Sequence, residues 1–240
     1  MVWKPSGGAT GFPQTLWAMF KTHSYKSDSL LKLTQKAMPP IDNLLHKPVQ
    51  ITTDRLTLRR ARNGDAALLF KDYCGDVECS RFLQRKPHET AGKTEAMLAR
   101  WANTAWETEG ASFTWVISLR ETLEPIGLFL AIADGHRLEI HYGIAQRFWG
   151  QGLVAEAGVA ALKHLQQSPG IQRIWTVCDI DNIGSRRVLE KLGMQYEGIL
   201  RRWLVLPAFG TEARDCHAYA WTRPSAINHV TASSIACSDV

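Results

Sequence analysis

A glycine-bearing turn at residues 147–156, with the sequence Arg-Phe-Trp-Gly-Gln-Gly-Leu-Val-Ala-Glu, has the composition of an anion-binding site. Gly150 and Gly152 leave backbone N–H groups uncovered at the mouth of a helix-like run that begins at Leu153. The first N–H groups of a helix lack internal partners, and the helix dipole adds partial positive charge there. Arg147 places a full positive charge beside them. We therefore predict that this turn binds a phosphate group.

Two side chains just before the turn have the chemistry of a general base. Glu139 and His141 lie on a strand-like run, Leu138–Ile144. Residues two apart on a strand point to the same face, so the spacing allows a Glu–His pair or a water relay between them. The alternative for Glu139 is a solvated or salt-bridged strand residue, and the alternative for His141 is a packed or hydrogen-bonded histidine.

The elements that position these residues are a strand meander followed by alternating helices and strands. Strands are predicted at Leu56–Leu58, Phe113–Leu119, Ile126–Ala133, Leu138–Ile144, Ile171–Cys178, Tyr196–Leu204 and Arg214–Trp221, and helices at Ala66–Tyr73, Thr90–Glu109, Leu153–Gln167 and Ser185–Leu192. Short turns join the three strands between residues 113 and 144, so we expect them to form an antiparallel meander. The predicted fold class is α/β in the broad sense, and more narrowly α+β.

The length of the chain and the positions of its Gly and Pro residues predict one folded domain with an extension at each end. The 240 residues suit a domain of about 100–200 residues plus extensions. We place a partly ordered N-terminal extension at 1–48, the domain at 49–222 and a flexible tail at 223–240. The first 27 residues lack acidic residues, as transit peptides do, but they also lack Arg. A partly ordered or partner-binding arm is therefore the preferred interpretation.

Composition disfavours several other classes of protein. The formal net charge of +5 is dispersed, with no run of five Lys or Arg, so no nucleic-acid partner is expected. No apolar run reaches the ~18 residues of a membrane span, so no membrane partner is expected either. The odd count of five cysteines, without regular pairs, fits a reducing compartment and predicts a cytoplasmic protein without a zinc site.

Five segments of the chain follow one another in the order of a known set of motifs. They are Thr-Asp-Arg-Leu-Thr-Leu-Arg at 53–59, the strand-like run at 139–144, Arg-Phe-Trp-Gly-Gln-Gly at 147–152, the Asn-to-Met segment at 182–194 and Glu-Gly-Ile-Leu-Arg at 197–201. The third matches (Gln/Arg)-x-x-Gly-x-(Gly/Ala) throughout. Over about residues 50–221 the chain resembles the GCN5-related N-acetyltransferase (GNAT) superfamily. The first segment is similar to its RimJ/RimL-type branch, which acetylates protein N-termini among other amines.

The resemblance implies a GNAT fold, with a mixed, mostly antiparallel sheet flanked by helices. The sheet would splay between the strands Leu138–Ile144 and Ile171–Cys178, and acetyl-CoA would lie in that cleft as co-substrate. Its pantetheine arm would follow one strand and its pyrophosphate would sit on the amides at 151–154, without a metal. The implied binding residues are Tyr142, Gly143, Ile144, Arg147, Gly150, Gln151, Gly152, Leu153, Val154, Asn182 and Ser185.

The implied reaction is direct attack of a primary amine on the thioester in a ternary complex. It needs a base for the amine, backbone donors for the thioester oxygen and a donor to the leaving thiolate. Glu139 and Asp215 are the two candidate bases. Ser185 is the candidate donor to sulfur, and its alternative role is a helix N-cap.

The acceptor side is where the sequence departs from the branch. His141 stands where a glycine is usual and Gly143 where a bulky residue is usual, so acceptor geometry is affected more than co-substrate binding. We expect His141 and Trp101 to contact the acceptor. Trp101 and Trp106 lie ~140° apart on an ideal helix, so at least one of the two belongs to the core.

Several alternatives to this interpretation stay open, and they concern the class of protein, its acceptor and its oligomeric state. Residues 150–155 also fit the dinucleotide fingerprint G-x-G-x-x-A, with Asp179 as the acidic partner, but a strand meander does not usually precede that motif. The chain could also be a catalytically weak, CoA-binding regulatory module of the same fold. Within the enzyme interpretation, the acceptor is either a protein N-terminus or a small amine, and a homodimer is left open.

Overall fold

The computed structural model describes residues 45–107 and 112–224. The rest of the predicted N-terminal extension and C-terminal tail, and the end of the helix predicted to reach Glu109, lie outside the described residues. Residues 45–48 contact the folded domain. The His46 N–H donates to Ser168 Oγ at 2.7 Å, and the Pro48 carbonyl accepts from Trp115 Nε1 at 3.0 Å.

The described residues form one open sheet of eight strands in the order β1-β2-β3-β4-β5-β6-β8-β7. The strands are β1 Gln50–Thr52, β2 Leu56–Arg59, β3 Phe113–Leu119, β4 Pro125–Asp134, β5 Arg137–Ile144, β6 Arg173–Asp179, β7 Gln195–Val205 and β8 Ala213–Thr222. All neighbours are antiparallel except β5 and β6. The predicted fold class and the meander β3-β4-β5 are confirmed, whereas the three-residue β1 was not predicted.

Helical segments flank the sheet. They are α1 Asp65–Leu69, a π-helical turn Phe70–Cys74, α2 Val77–Ser80, α3 Ala91–Leu98, a second π-helical turn Ala99–Asn103, and 3₁₀ turns Thr104–Trp106, Gln146–Phe148 and Pro207–Phe209, with the longer helices α4 Leu153–Leu165 and α5 Ile183–Lys191. The glycine turn lies directly before α4, and α5 follows the loop after β6. Both placements agree with the sequence prediction.

The prediction of one continuous helix over Thr90–Glu109 is wrong. Its regular part ends at Leu98, and wider and tighter turns follow. Donors from outside the helix bind two carbonyls in these turns: Ala61 N–H donates to the Ala102 carbonyl and Arg60 to the Asn103 carbonyl. Carbonyls bound in this way favour irregular turns over continued helix.

Two hydrophobic clusters pack on opposite faces of the sheet. One joins Leu138 and Ile140 of β5 to Ala157 and Ala161 of α4. The other joins Leu69, Tyr73 and Leu98, from the α1–α3 side, to Val116. Since side chains alternate along a strand, Glu139 and His141 face the α1–α3 side.

The sheet splays between β5 and β6, as predicted. The two strands pair only from Arg137↔Arg173 to Glu139↔Trp175. Beyond this point β6 pairs with β8 along its whole length, as far as Asp179. One edge of β5, from Ile140 to Ile144, therefore has no partner strand within the described part of the chain.

Candidate active site

The glycine turn is open at the mouth of α4. Gly150 and Gly152 have φ angles of 75° and 76°, in the left-handed region that favours glycine. A Cβ at Gly150 would meet nothing within 4 Å, and one at Gly152 would meet only Arg55, at 3.8 Å. The first helical hydrogen bond runs from Glu156 N–H to the Gly152 carbonyl, at 3.0 Å. The amides of residues 153–155 thus have no intrahelical partners.

The Arg147 guanidinium forms ion pairs with two carboxylates. Its guanidinium lies 2.9 Å from Asp72 and also contacts Glu124, and it stacks over the Phe148 ring at 4.7 Å. Its backbone carbonyl accepts from Gln151 Nε2 at 3.1 Å, which fixes the turn. The structure thus shows Arg147 tying the turn to two other elements, and its direct contact with a phosphate stays a prediction.

Arg55 brings positive charge to the turn, and sequence reasoning did not assign it. Its Nη1 donates to the Gln151 carbonyl at 3.1 Å and its Nε donates to Glu156 at 2.7 Å. Burial raises the pKa of Glu156, but hydrogen bonds from Thr53 and Arg55 outweigh it, and the pKa is lowered overall. The available signal was the segment Asp-Arg-Leu-Thr-Leu-Arg at 54–59, which the sequence analysis interprets as a strand and as a motif of the RimJ/RimL-type branch, without a role for Arg55.

Glu139 and His141 form the predicted pair. His141 Nε2 lies 2.9 Å from Glu139 Oε1. The two side chains are 25% and 32% exposed, respectively, so a solute can reach both. A carboxylate that accepts from one ring nitrogen leaves the other nitrogen available as a proton acceptor. The pair can therefore take a proton from an amine on the α1–α3 face.

Ser185 lies on the other side of the cleft and contacts Tyr142. Asn182, not Ser185, caps α5: its Oδ1 accepts from the Ser185 N–H at 3.0 Å. Ser185 Oγ is 3.0 Å from Tyr142 Oη, a hydrogen bond between the start of α5 and β5. Burial raises the pKa of Cys178, at the end of β6, to about 11, which keeps it a thiol. The Ser185 hydroxyl thus has hydrogen-bond partners in both Tyr142 and the Cys178 thiol, and its role as a donor to the sulfur of a co-substrate stays a prediction.

Asp215 lies far from Glu139. Glu139 is level with Trp175, which pairs with Ala220, five positions from Asp215 along β8. Five strand positions span about 16 Å. The Asp215 carboxylate accepts from the Arg202 N–H and from Arg201 Nη1, both at 2.8 Å.

These contacts hold an irregularity in β7. The register of β7 against β8 shifts between Leu200 and Leu204, and Arg202 has a positive φ of 47°. The hydrogen bond from Arg202 N–H lowers the pKa of Asp215, against the effect of burial and with help from Arg201. The structure thus brings Glu139, His141, Tyr142 and Ser185 to the splayed strands and places Asp215 at a bulge.

Gly143 leaves room for a tyrosine. A Cβ at this position would lie 2.4 Å from Tyr73 Oη and 2.9 Å from a ring carbon. The ring of Tyr73 therefore occupies the space where the branch usually has a bulky side chain. The next residue, Ile144, is buried, and its carbonyl accepts from Trp149 Nε1 at 2.9 Å.

The remaining predicted side chains divide between core and surface. Leu153 is buried beneath the glycine turn, and Val154 packs partly against the same core. Trp106 is the core member of its pair, with Nε1 donating to the Thr114 carbonyl at 3.2 Å. Trp101 is half-buried, 5.0 Å from the Arg100 guanidinium, and its contact with an acceptor stays a prediction.

Residues 55–195 match the model of the acetyltransferase (GNAT) domain. The chain belongs to the GNAT family of N-acetyltransferases. It is 33% identical over 157 residues to the uncharacterized N-acetyltransferase YoaA of Bacillus subtilis, covering 64% of this chain and 87% of that protein. It is 29% identical over 168 residues to the [ribosomal protein uS5]-alanine N-acetyltransferase of Escherichia coli, covering 66% and 84%.

Solved structures agree on the fold. A GNAT acetyltransferase from Bacillus anthracis superposes with a TM-score of 0.63 at 22% identity, over 72% of this chain and 98% of that one. RimL, a ribosomal L7/L12 α-N-protein acetyltransferase solved with coenzyme A, gives 0.62 at 20% identity, over 73% and 96%. At such identities the likeness concerns the fold alone. The family match and the ribosomal-protein relative agree with the RimJ/RimL-type branch that the sequence predicts.

The dinucleotide-binding alternative does not agree with this architecture. The strand before the glycine turn belongs to an antiparallel meander, and Asp179 is buried in an ion pair with Arg214 at 2.6 Å. Within residues 45–107 and 112–224, no group of three or more His, Cys, Asp or Glu is arranged to hold a metal ion. Over the same residues, no helix is long and apolar enough to cross a membrane.

Proposed function

We propose that this GNAT protein transfers an acetyl group from acetyl-CoA to a primary amine, either a protein N-terminus or a small amine, by direct attack. One observation carries the proposal: the unpaired edge of β5 leads from the Glu139–His141 pair to the open glycine turn. The amides at 153–155 suit a pyrophosphate, because they have no intrahelical partners and the two glycines before them carry no side chain. The pantetheine arm fits along the edge that β6 leaves free.

The two faces of β5 divide the proton chemistry. Glu139 and His141 face the α1–α3 side, where they take the proton that the attacking amine loses. Tyr142 reaches the opposite side, where its hydroxyl meets Ser185. When Tyr142 donates to Ser185 Oγ at 3.0 Å, rather than to the Ser185 carbonyl at 3.3 Å, the serine proton is free to bond the departing thiolate. Base and acid thus lie on opposite sides of the bond that breaks.

Room for an acceptor exists beside Glu139. A groove of about 410 Å³ runs over the sheet, lined in part by Trp175, Leu200 and Trp203. Trp175 is the register partner of Glu139, so the groove begins next to the base. Its aromatic lining suits the apolar part of an acceptor whose amine reaches Glu139. The ribosomal-protein relative supports a protein N-terminus as one such acceptor.

The test is thiol release from acetyl-CoA against a panel of peptides and small amines. The proposal expects release that depends on the amine, with the acetylated amine as the second product. Tight acetyl-CoA binding without release for any amine would instead favour the catalytically weak regulatory module. Failure of acetyl-CoA to raise the melting temperature would remove the co-substrate assignment altogether.

Arg55 and Arg147 are expected to respond differently to substitution. Arg55→Ala should raise the KM for acetyl-CoA about 5- to 10-fold, because it removes the cation nearest the turn. Arg147→Ala removes contacts to Asp72 and Glu124 that anchor the turn, so we expect a lower melting temperature with a smaller change in KM. Steady-state kinetics and thermal unfolding measure the two effects. The reverse pattern would return the phosphate contact to Arg147.

A further inference from the structure

The Tyr73 hydroxyl is a buried polar group that the mechanism above does not use. Tyr73 lies in the π-helical turn after α1 and is only 6% exposed. No described residue hydrogen-bonds its hydroxyl, and burial raises the pKa of the phenol, so it keeps its proton. Although the residue is buried, its oxygen is not among the fully enclosed polar atoms that lack a partner, so the hydroxyl itself keeps some access. A reachable hydroxyl without a protein partner can donate to a bound molecule.

The position of the hydroxyl connects it to the proposed base. It lies against Gly143, where a Cβ would be 2.4 Å away. Gly143 and His141 are two apart on β5, so both face the α1–α3 side, with about 7 Å between their Cα atoms. Glu139, His141 and Tyr73 thus form a row along one face of the strand. An amine bound at the Glu139–His141 pair would have the tyrosine hydroxyl farther along the same face of the strand.

The surroundings hold the phenol in this place. The carbonyl of Cys74, the next residue, accepts from the His88 N–H at 2.8 Å and from Arg85 Nη1 at 3.1 Å. The Cys79 thiol approaches the Ile144 carbonyl at 3.7 Å, which joins α2 to the end of β5. A side chain held by its neighbours loses little entropy when it binds a ligand.

Resting on the proposed function, we infer that Tyr73 is a specificity-determining residue that donates a hydrogen bond to a carbonyl oxygen next to the acceptor amine. A protonated phenol without an internal partner offers a donor to such an oxygen. In an α-amino acyl group the amine and the carbonyl oxygen are about 3 Å apart, which suits a row with this spacing. The acceptor class is therefore α-amino acyl compounds, including peptide N-termini, rather than simple alkylamines.

The experiment compares alaninamide with isopropylamine, which lacks the carbonyl group, as acceptors at saturating acetyl-CoA. For the full chain we expect a higher kcat/KM with alaninamide. Tyr73→Phe should lower kcat/KM for alaninamide about tenfold and leave isopropylamine unchanged within about twofold. Because each variant is compared with itself on the two amines, small changes in enzyme concentration cancel.

Two controls distinguish an effect on the choice between the two amines from an effect on the stability of the protein. Tyr73→Phe should keep the melting temperature, since the hydroxyl has no described partner to lose, and Tyr196→Phe, at an exposed tyrosine on β7, should not change the ratio of the two amines. Equal losses on both amines, or an unchanged ratio in Tyr73→Phe, would overturn the inference while acetyl transfer stands. No thiol release with any amine of the larger panel would overturn the proposed function itself.

Discussion

Replacing Gly152 with valine is expected to raise the KM for acetyl-CoA roughly 50-fold. The φ angle of 76° suits glycine, and a β-branched residue there costs about 1–2 kcal/mol. The valine side chain would also enter the open space before the amides of α4, where Arg55 is the nearest group at 3.8 Å. A loss of about 2–3 kcal/mol in binding corresponds to a change of this size.

A matched control is available at another left-handed glycine. Gly193, after α5, has a φ of 71°, and a Cβ there would meet nothing within 4 Å. Gly193→Val carries similar backbone strain away from the turn, so it should lower the melting temperature to a similar extent without raising the KM. Steady-state kinetics over a range of acetyl-CoA concentrations make the comparison. An unchanged KM in Gly152→Val, or an equal rise in both variants, would contradict the phosphate assignment of the turn.

Glu139→Gln is expected to lower kcat about 100- to 1000-fold with the KM for acetyl-CoA near that of the wild type. The substitution keeps the shape of the side chain but removes the carboxylate that lies 2.9 Å from His141 Nε2, and the loss of a general base typically has this effect. Co-substrate binding should persist, because the glycine turn and the free edge of β5 are untouched. The kinetic constants for both substrates measure the result.

Asp215→Asn is the control for this assignment. Its carboxylate holds the bulge in β7 through Arg201 and Arg202, so the change should lower stability more than turnover. If turnover collapses in Asp215→Asn and survives in Glu139→Gln, the base has been misassigned. His141→Gly, which restores the residue usual in the branch, then divides the pair: a loss similar to that of Glu139→Gln identifies the histidine as the proton acceptor.

The division of the chemistry between two sides of β5 explains why the unusual residues of this chain cluster on one of them. Under the proposed function, Tyr142 and Ser185 serve the leaving thiolate, and both follow the pattern expected from the sequence. His141 and Gly143 depart from it, and both face the acceptor. Gly143 makes room for Tyr73, and His141 joins Glu139. Under the proposed function, the departures from the expected pattern therefore lie on the acceptor side of the site.

Features that depend on short-range patterns could be predicted from the sequence. The glycines of the turn were recognisable because left-handed backbone angles favour glycine and because a helix-like run followed directly. Glu139 and His141 were placed on one face because side chains alternate along any strand. The meander followed from short turns between apolar runs. Each of these depends on residues close together in the chain.

The contacts between side chains that are distant in the sequence became known only from the tertiary structure. Arg147 binds Asp72, 75 positions away, and Arg55 reaches Gln151 across 96 positions. Tyr142 meets Ser185 over 43 positions. Such contacts depend on how helices pack on the sheet, and no local periodicity encodes that packing. The helix predicted through residue 109 ends at Leu98. In the irregular turns that follow, donors from other segments bind backbone carbonyls, and the sequence alone could not show these contacts.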